Sequence, residues 1–162
     1  MRTALVLCTA LLLSSCAGGS PPAATEPAAA GRQTLVRWHT LAEAKGIAAA
    51  EKKPLLVDYY VPSGCSRCAT MDRQVWGNPE IAAQVNEGFV PVRVNLTKPL
   101  TDDERALGVR YDFNFDCPLL FLDSEGNVLE KAGGGRMCFA EFVDPKWFLD
   151  LLAQAKKAAE AR

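Results

Sequence analysis

Strong net charge is missing from this chain: 18 basic and 19 acidic residues leave a formal charge of −1 over 162 residues. That balance gives no electrostatic argument for a nucleic-acid partner. Histidine is almost absent. The single one, His39, stands beside a predicted helix cap and reads as structural or solvated. No second CxxC and no CxxH accompanies Cys65 and Cys68, which counts against a zinc site. The apolar stretch at residues 4–13 is too short to span a bilayer as a folded helix. No internal repeat is visible. What remains, 49% hydrophobic and 23% charged, is the composition of one globular domain.

The N-terminus reads as a targeting segment. Met1-Arg2 is a minimal positive region, and residues 4–13 are its apolar core. Leu13-Ser14-Ser15-Cys16 then resembles a bacterial lipobox, so residues 1–15 are expected to be cleaved and Cys16 to be lipidated. Several acyl chains on one residue hold a protein stably at a membrane. Ordinary secretion with cleavage near Ala28-Ala29-Ala30 is the other reading. Ala17, where an Asp would suggest retention, favours the outer membrane over the inner. Residues 16–32, rich in Ala, Pro, Gly and Ser, read as a flexible tether. The folded domain is expected over residues 33–162.

Six cysteines are present. Cys8 leaves with the signal and Cys16 is taken by lipid, so Cys65, Cys68, Cys117 and Cys138 remain. An exported chain lives where disulfides form, and four thiols allow three pairings that sequence does not choose between.

The stretch LLVDYYVPSGCSRC, residues 55–68, is the centre of the reading. An apolar, partly β-branched run predicts a short buried strand. Pro62-Ser63-Gly64 breaks it, and Cys65 and Cys68 follow at the start of a Gly- and Pro-free run that suits a helix. A thiol at a helix N-terminus faces free N–H groups and the positive end of the dipole. Its pKa is expected to fall and its thiolate fraction to rise. Arg67 adds a positive charge and is expected to be exposed. A thiolate beside a second thiol is the equipment of thiol–disulfide exchange.

Around this centre the elements are punctuated clearly. Leu35–Trp38 suggests a short edge strand. Thr40 with Glu43, and Thr101 with Glu104, are capping boxes that open helices through about Lys52 and Leu107. Asn78-Pro79 and Asp144-Pro145 are helix starts, and Gly88 is a stop. Residues 89–95 alternate as a strand, and residues 108–116 read as a loop. Residues 119–123 form another strand, residues 124–127 a hairpin turn, and residues 128–132 the return strand, ended by three glycines. Trp147, Phe148, Leu151, Leu152 and Ala155 repeat at helical spacing and are expected in the core. Strands alternating with helices before a final hairpin mean an α/β sandwich around a mixed sheet.

VDYY ahead of the CxxC, Cys117-Pro118 leading into LLFLD, and the SEGNV hairpin together resemble the thioredoxin superfamily. MDRQVWGNPEIAAQVNEGFVPVRVNLT is similar to the exported group typified by the C-terminal domain of DsbD. The resemblance implies a three-layer thioredoxin-like sandwich, with helices on both faces of the mixed sheet. It implies that Cys65 is the attacking thiolate, Cys68 the buried resolving thiol, and Asp58 the buried carboxylate that exchanges protons with Cys68. Pro118 would be cis, and Gly64, Ser66, Arg67 and Cys117 would border the substrate groove. The chain departs from the pattern in three places: Gly64 replaces the usual Trp, Cys117 replaces the usual Thr or Val, and one extra residue separates Asp58 from Cys65. Residues 136–143 read as an insertion carrying Cys138.

The resemblance also puts Cys117 and Cys138 on the CxxC side, where a second disulfide, a relay through Cys65, a soft-metal site or free thiols are the alternatives. The implied function is an exported, membrane-anchored thiol–disulfide oxidoreductase that reduces or isomerises. It would act on protein thiols or disulfides with a redox partner protein, and no cofactor or metal is expected. The alternative is a non-catalytic binding module or a copper-handling lipoprotein. Nothing demands more than a monomer.

Overall fold

The computed structural model describes residues 34–113, 118–142 and 144–162. The expected signal, Cys16 and the whole tether lie outside them, as does Cys117. The elements run α1 (Leu41–Glu51), β1 (Leu55–Tyr60), α2 (Ser66–Met71), α3 (Pro79–Gly88), β2 (Val90–Asn95), α4 (Asp102–Tyr111), β3 (Leu119–Leu122), β4 (Cys138–Phe139) and α5 (Pro145–Glu160). A π-helical turn, Asp72–Trp76, extends α2.

Local sequence explains most of these boundaries. Both capping boxes form, each Thr side chain accepting from the backbone of the Glu three residues on and each Glu reaching back. Asn78 and Asp144 cap α3 and α5 with Pro at the first helical position. Helix α4 runs one turn past the expected stop. Gly108 lies inside it because a Cβ there would come 2.5 Å from the Phe113 ring, and Asp112 ends it in the left-handed region at φ 55°.

The sheet order is β2-β1-β3-β4. β1 runs parallel to β2 and antiparallel to β3, and β3 is antiparallel to β4. The parallel pair requires a crossover, which α2, the π-turn and α3 supply. Side-chain alternation divides the core into two layers. Leu55, Val57, Tyr59, Val90, Val92, Val94, Leu120 and Leu122 meet α1 and α4 on one face. Leu56, Leu119 and Phe121 meet α2, the π-turn, α3 and α5 on the other, where Met71, Trp76, Val85 and Phe148 are fully buried.

Three expectations need correcting. Residues 35–38 form no strand: Leu35 N–H bonds the Trp76 carbonyl at 2.9 Å and only His39 bridges to Val92. Trp38 packs edge-on to Trp76 with centroids 5.1 Å apart, so this segment is tied to the helical layer. Trp147 is 46% exposed while Phe148 is buried.

The stretch read as an insertion contains the edge strand itself. Phe121 accepts from Leu129 N–H at 2.8 Å and donates to the Met137 carbonyl at 3.0 Å. Between them the chain leaves as a small hairpin closed by a Glu130–Arg136 bridge. Gly134 and Gly135, at φ +87° and +86°, make that excursion possible. Leu129 and Met137 are both fully buried; filling the core at these two points fixes where the strand is interrupted.

Candidate redox site

β1 delivers the chain to the site. After Tyr60, Gly64 takes a left-handed conformation at φ +75°, which a residue with a Cβ adopts only at a cost. That accounts for a glycine at this position. Cys65 is the N-cap of α2, and its Sγ accepts from the Cys68 N–H at 3.0 Å. The two cysteines are joined, with S–S 2.06 Å. Cys65 is half-buried and Cys68 buried. Val61 N–H points at Cys68 Sγ, 3.5 Å away. The Cys65 sulfur, facing the Cys68 N–H, already has the backbone donor that a thiolate would require.

Asp58 lies on the α2 side of β1, in register with Arg93 on β2 and Leu119 on β3. It is 1% exposed. Arg93 Nε lies 3.2 Å from its Oδ2, oriented so that this N–H makes no hydrogen bond. Arg67 Nη1 lies 3.6 Å from Oδ1, an ion pair too long for a hydrogen bond. Arg93 also donates to Asp72 on the π-turn at 2.5 Å. Its guanidinium sits over the Tyr60 ring at 4.0 Å and beside the Trp38 ring at 5.2 Å. Burial pushes Asp58 above the usual carboxylate range; the Arg93 and Arg67 charges pull it partly back, and the Asp72 charge adds to the rise.

The structure thus joins Cys65 to Cys68 and turns Arg67, between them in the chain, toward Asp58, with Gly64 and Ser66 exposed at the lip. Arg67 corrects the expectation of an exposed side chain: it is 16% exposed and turned toward Asp58, because a buried carboxylate needs cations more than the surface does. Pro118 is adjacent, its carbonyl accepting from Tyr59 N–H at 2.7 Å. The Cys117–Pro118 bond expected to be cis lies outside the described residues. Cys138 sits opposite Leu120 on β4 and is itself disulfide-bonded.

Sequence reading missed Arg93 and the pairing of Asp72. The available signal was a cation on β2 directly across from Asp58 on its parallel neighbour, a pair that makes sense only when both face a covered layer. Among the described residues, no group of three or more His, Cys, Asp or Glu is placed to hold a metal ion. No helix among them is long and apolar enough to cross a membrane.

A family profile described as thioredoxin-like matches residues 37–121, just over half of the chain. Among solved structures, a thioredoxin from Thermus thermophilus is similar over 78% of this chain and 92% of its own, at 22% identity and a TM-score of 0.58. A DsbH oxidoreductase is similar over 90% and 97%, at 19% identity and 0.56. The oxidised C-terminal domain of Neisseria meningitidis DsbD is similar over 70% and 90%, at 21% identity and 0.50. At these identities the likeness is one of fold, and it bears out the α/β thioredoxin architecture. No curated protein sequence matches this chain.

Proposed function

This chain belongs to the thioredoxin-like family, and on that premise we propose that it is an exported, membrane-anchored protein thiol–disulfide oxidoreductase. The observation that carries the reading is the bonded Cys65–Cys68 pair, with Cys65 half-buried and its sulfur accepting a backbone N–H, and Cys68 buried.

In the reduced protein Cys65 thiolate attacks a substrate disulfide. One substrate sulfur leaves as thiolate and a mixed disulfide forms. Cys68 then loses its proton to Asp58 and attacks the Cys65 sulfur, expelling the second substrate thiolate. The substrate gains two electrons and the pair returns to the disulfide. Run backwards, the same steps oxidise a dithiol. An ionised Asp58 takes the proton from Cys68, and its raised pKa keeps it a capable base. The net charge of −1 does not select partners by long-range attraction, so recognition falls to the groove of Gly64, Ser66, Arg67, Cys117 and a cis Pro118.

The reading extends to the parts outside the described residues. Residues 1–15 are a signal, Cys16 carries lipid, and residues 16–32 hold the domain off an outer membrane, facing the periplasm. Cys117 pairs with Cys138, which stabilises the interrupted edge strand beside the groove. Reduction or isomerisation within an electron-relay chain is the favoured direction.

The test is a dithiothreitol redox titration of the full chain bearing Cys16→Ser, read by peptide mapping. Reversible Cys65–Cys68 exchange between about −270 and −120 mV supports the enzyme and sets its direction, with the Cys138 bond unchanged. A Cys65–Cys68 pair that never exchanges overturns it in favour of a binding module. Native protein that stays in the soluble fraction, with Cys16 unmodified by mass spectrometry, overturns the anchor.

A further inference from the structure

The CxxC segment of this chain contributes a third functional side chain besides its two sulfurs. Arg67 stands on a six-residue helix at the protein surface, where a guanidinium would ordinarily reach into water. It turns inward instead. Its Nε and Nη2 are buried and make no hydrogen bond, and neither does Asp58 Oδ1, the oxygen that Nη1 faces at 3.6 Å. A long cation held among unsatisfied donors costs free energy, and what offsets that cost is the carboxylate of Asp58 that it faces.

Arg93 does not make Arg67 redundant. Its Nη2 is committed to Asp72 at 2.5 Å and its Nε approaches the other oxygen of Asp58. Arg67 is therefore the cation directed at Oδ1. The groups facing Asp58 are Arg67 from α2; Arg93 from β2, backed by the Tyr60 ring; and Asp72 from the π-turn. β3 places uncharged Leu119 in register there.

We propose that Arg67 is a positioning residue that acts through Asp58: it turns under the active-site helix and holds the buried carboxylate ionised, ready to accept the proton of Cys68. This rests on the oxidoreductase reading. When the mixed disulfide is resolved, the Cys68 S–H proton passes to Asp58, which becomes neutral. The electron pair left on Cys68 forms the bond to Cys65, and the substrate sulfur leaves with the pair of the broken bond. The proton then leaves Asp58 for solvent or for the departing thiolate. Without Arg67 the carboxylate holds its proton to higher pH and accepts none below it.

The experiment follows the Asp58 side-chain carboxyl by carbon NMR across pH in the oxidised full chain, beside the pH profile of mixed-disulfide resolution. In Arg67→Met the Asp58 midpoint rises by about one to three pH units, the range for losing an opposite charge at this distance. The resolution profile moves up by the same amount. Arg67→Lys keeps the charge and leaves the Asp58 midpoint near that of wild type, and in an Asp58→Asn background Arg67→Met no longer moves the profile. Arg67→Gln serves the same purpose if the Met variant does not fold. An unchanged Asp58 midpoint, or a loss of rate by one factor at every pH, overturns the proposal. A wild type without exchange activity would instead overturn the oxidoreductase reading, while the NMR midpoint would still decide whether Arg67 governs Asp58.

Discussion

Replacing Arg93 with methionine removes a cation shared by two buried carboxylates while keeping most of the apolar stem. Arg93 is only 10% exposed, and the carboxylates it serves, Asp58 and Asp72, are 1% and 8% exposed. Taking one partner from a buried ion pair costs about 3–5 kcal/mol, because the buried charge loses a counter-charge it cannot replace with water. The stacking on Tyr60 and Trp38 adds up to about 1 kcal/mol, which methionine packing partly restores. About 3–5 kcal/mol at pH 7 is therefore expected.

The loss should depend on pH. Asp58 is already raised above its ordinary value of 3.8, so the folded state binds its proton more tightly than the unfolded chain does. That contribution is fully present below the unfolded pKa and fades as pH rises through the folded one. Losing Arg93 raises the folded pKa further and widens that window, at about 1.4 kcal/mol per unit. Urea unfolding of the oxidised protein should show the difference between variant and wild type shrinking to about 1–2 kcal/mol near pH 4.5. Arg93→Met with Asp58→Asn should recover part of the loss at pH 7. A difference below about 1 kcal/mol at pH 7, or one equal at both pH values, would refute a shared, buried cation.

Three further outcomes follow from single sites. Gly64→Ala meets no atom within 4 Å, so its cost is backbone alone. About 1–2 kcal/mol is expected by chemical denaturation, and no change would mean that the left-handed turn is not kept. Phe148→Ala empties a fully buried site between Trp76 and Phe121; about 3–5 kcal/mol is expected in the same assay. Burial pushes Asp123 up, but hydrogen bonds from Asn127, Arg162 and Glu125 outweigh it and hold its carboxyl below the ordinary range. Its stabilisation is present above the unfolded pKa and lost as pH falls through the folded one. Asp123→Ala should cost about 2 kcal/mol at pH 7 and flatten the wild-type decline below about pH 4, measured by urea unfolding across pH.

Much of the fold was legible because its signals are local. Thr40 with Glu43, Thr101 with Glu104, Asn78-Pro79 and Asp144-Pro145 each satisfy orphan N–H groups within a few residues, so their spacing carries the information directly. The position of Cys65 at a helix start was legible for the same reason. The edge strand was not. Its two halves, at Leu129 and at Met137 to Phe139, are separated by a hairpin, and only their shared partner, Phe121, makes them one strand. Trp147 and Phe148 fit one apolar face equally well in sequence; the neighbouring layer buries Phe148 and leaves Trp147 half out.

The sequence by itself determined the capped helices, the thiol pair and the carboxylate on the strand before it, because these depend on neighbours in the chain. Tertiary structure alone decided which charges meet. Arg93 reaches Asp58 through the register of two parallel strands, Asp72 reaches Arg93 through a π-turn, and Arg67 is drawn inward by a carboxylate nine residues earlier. A buried charge finds its partner through space, and only packing fixes that distance.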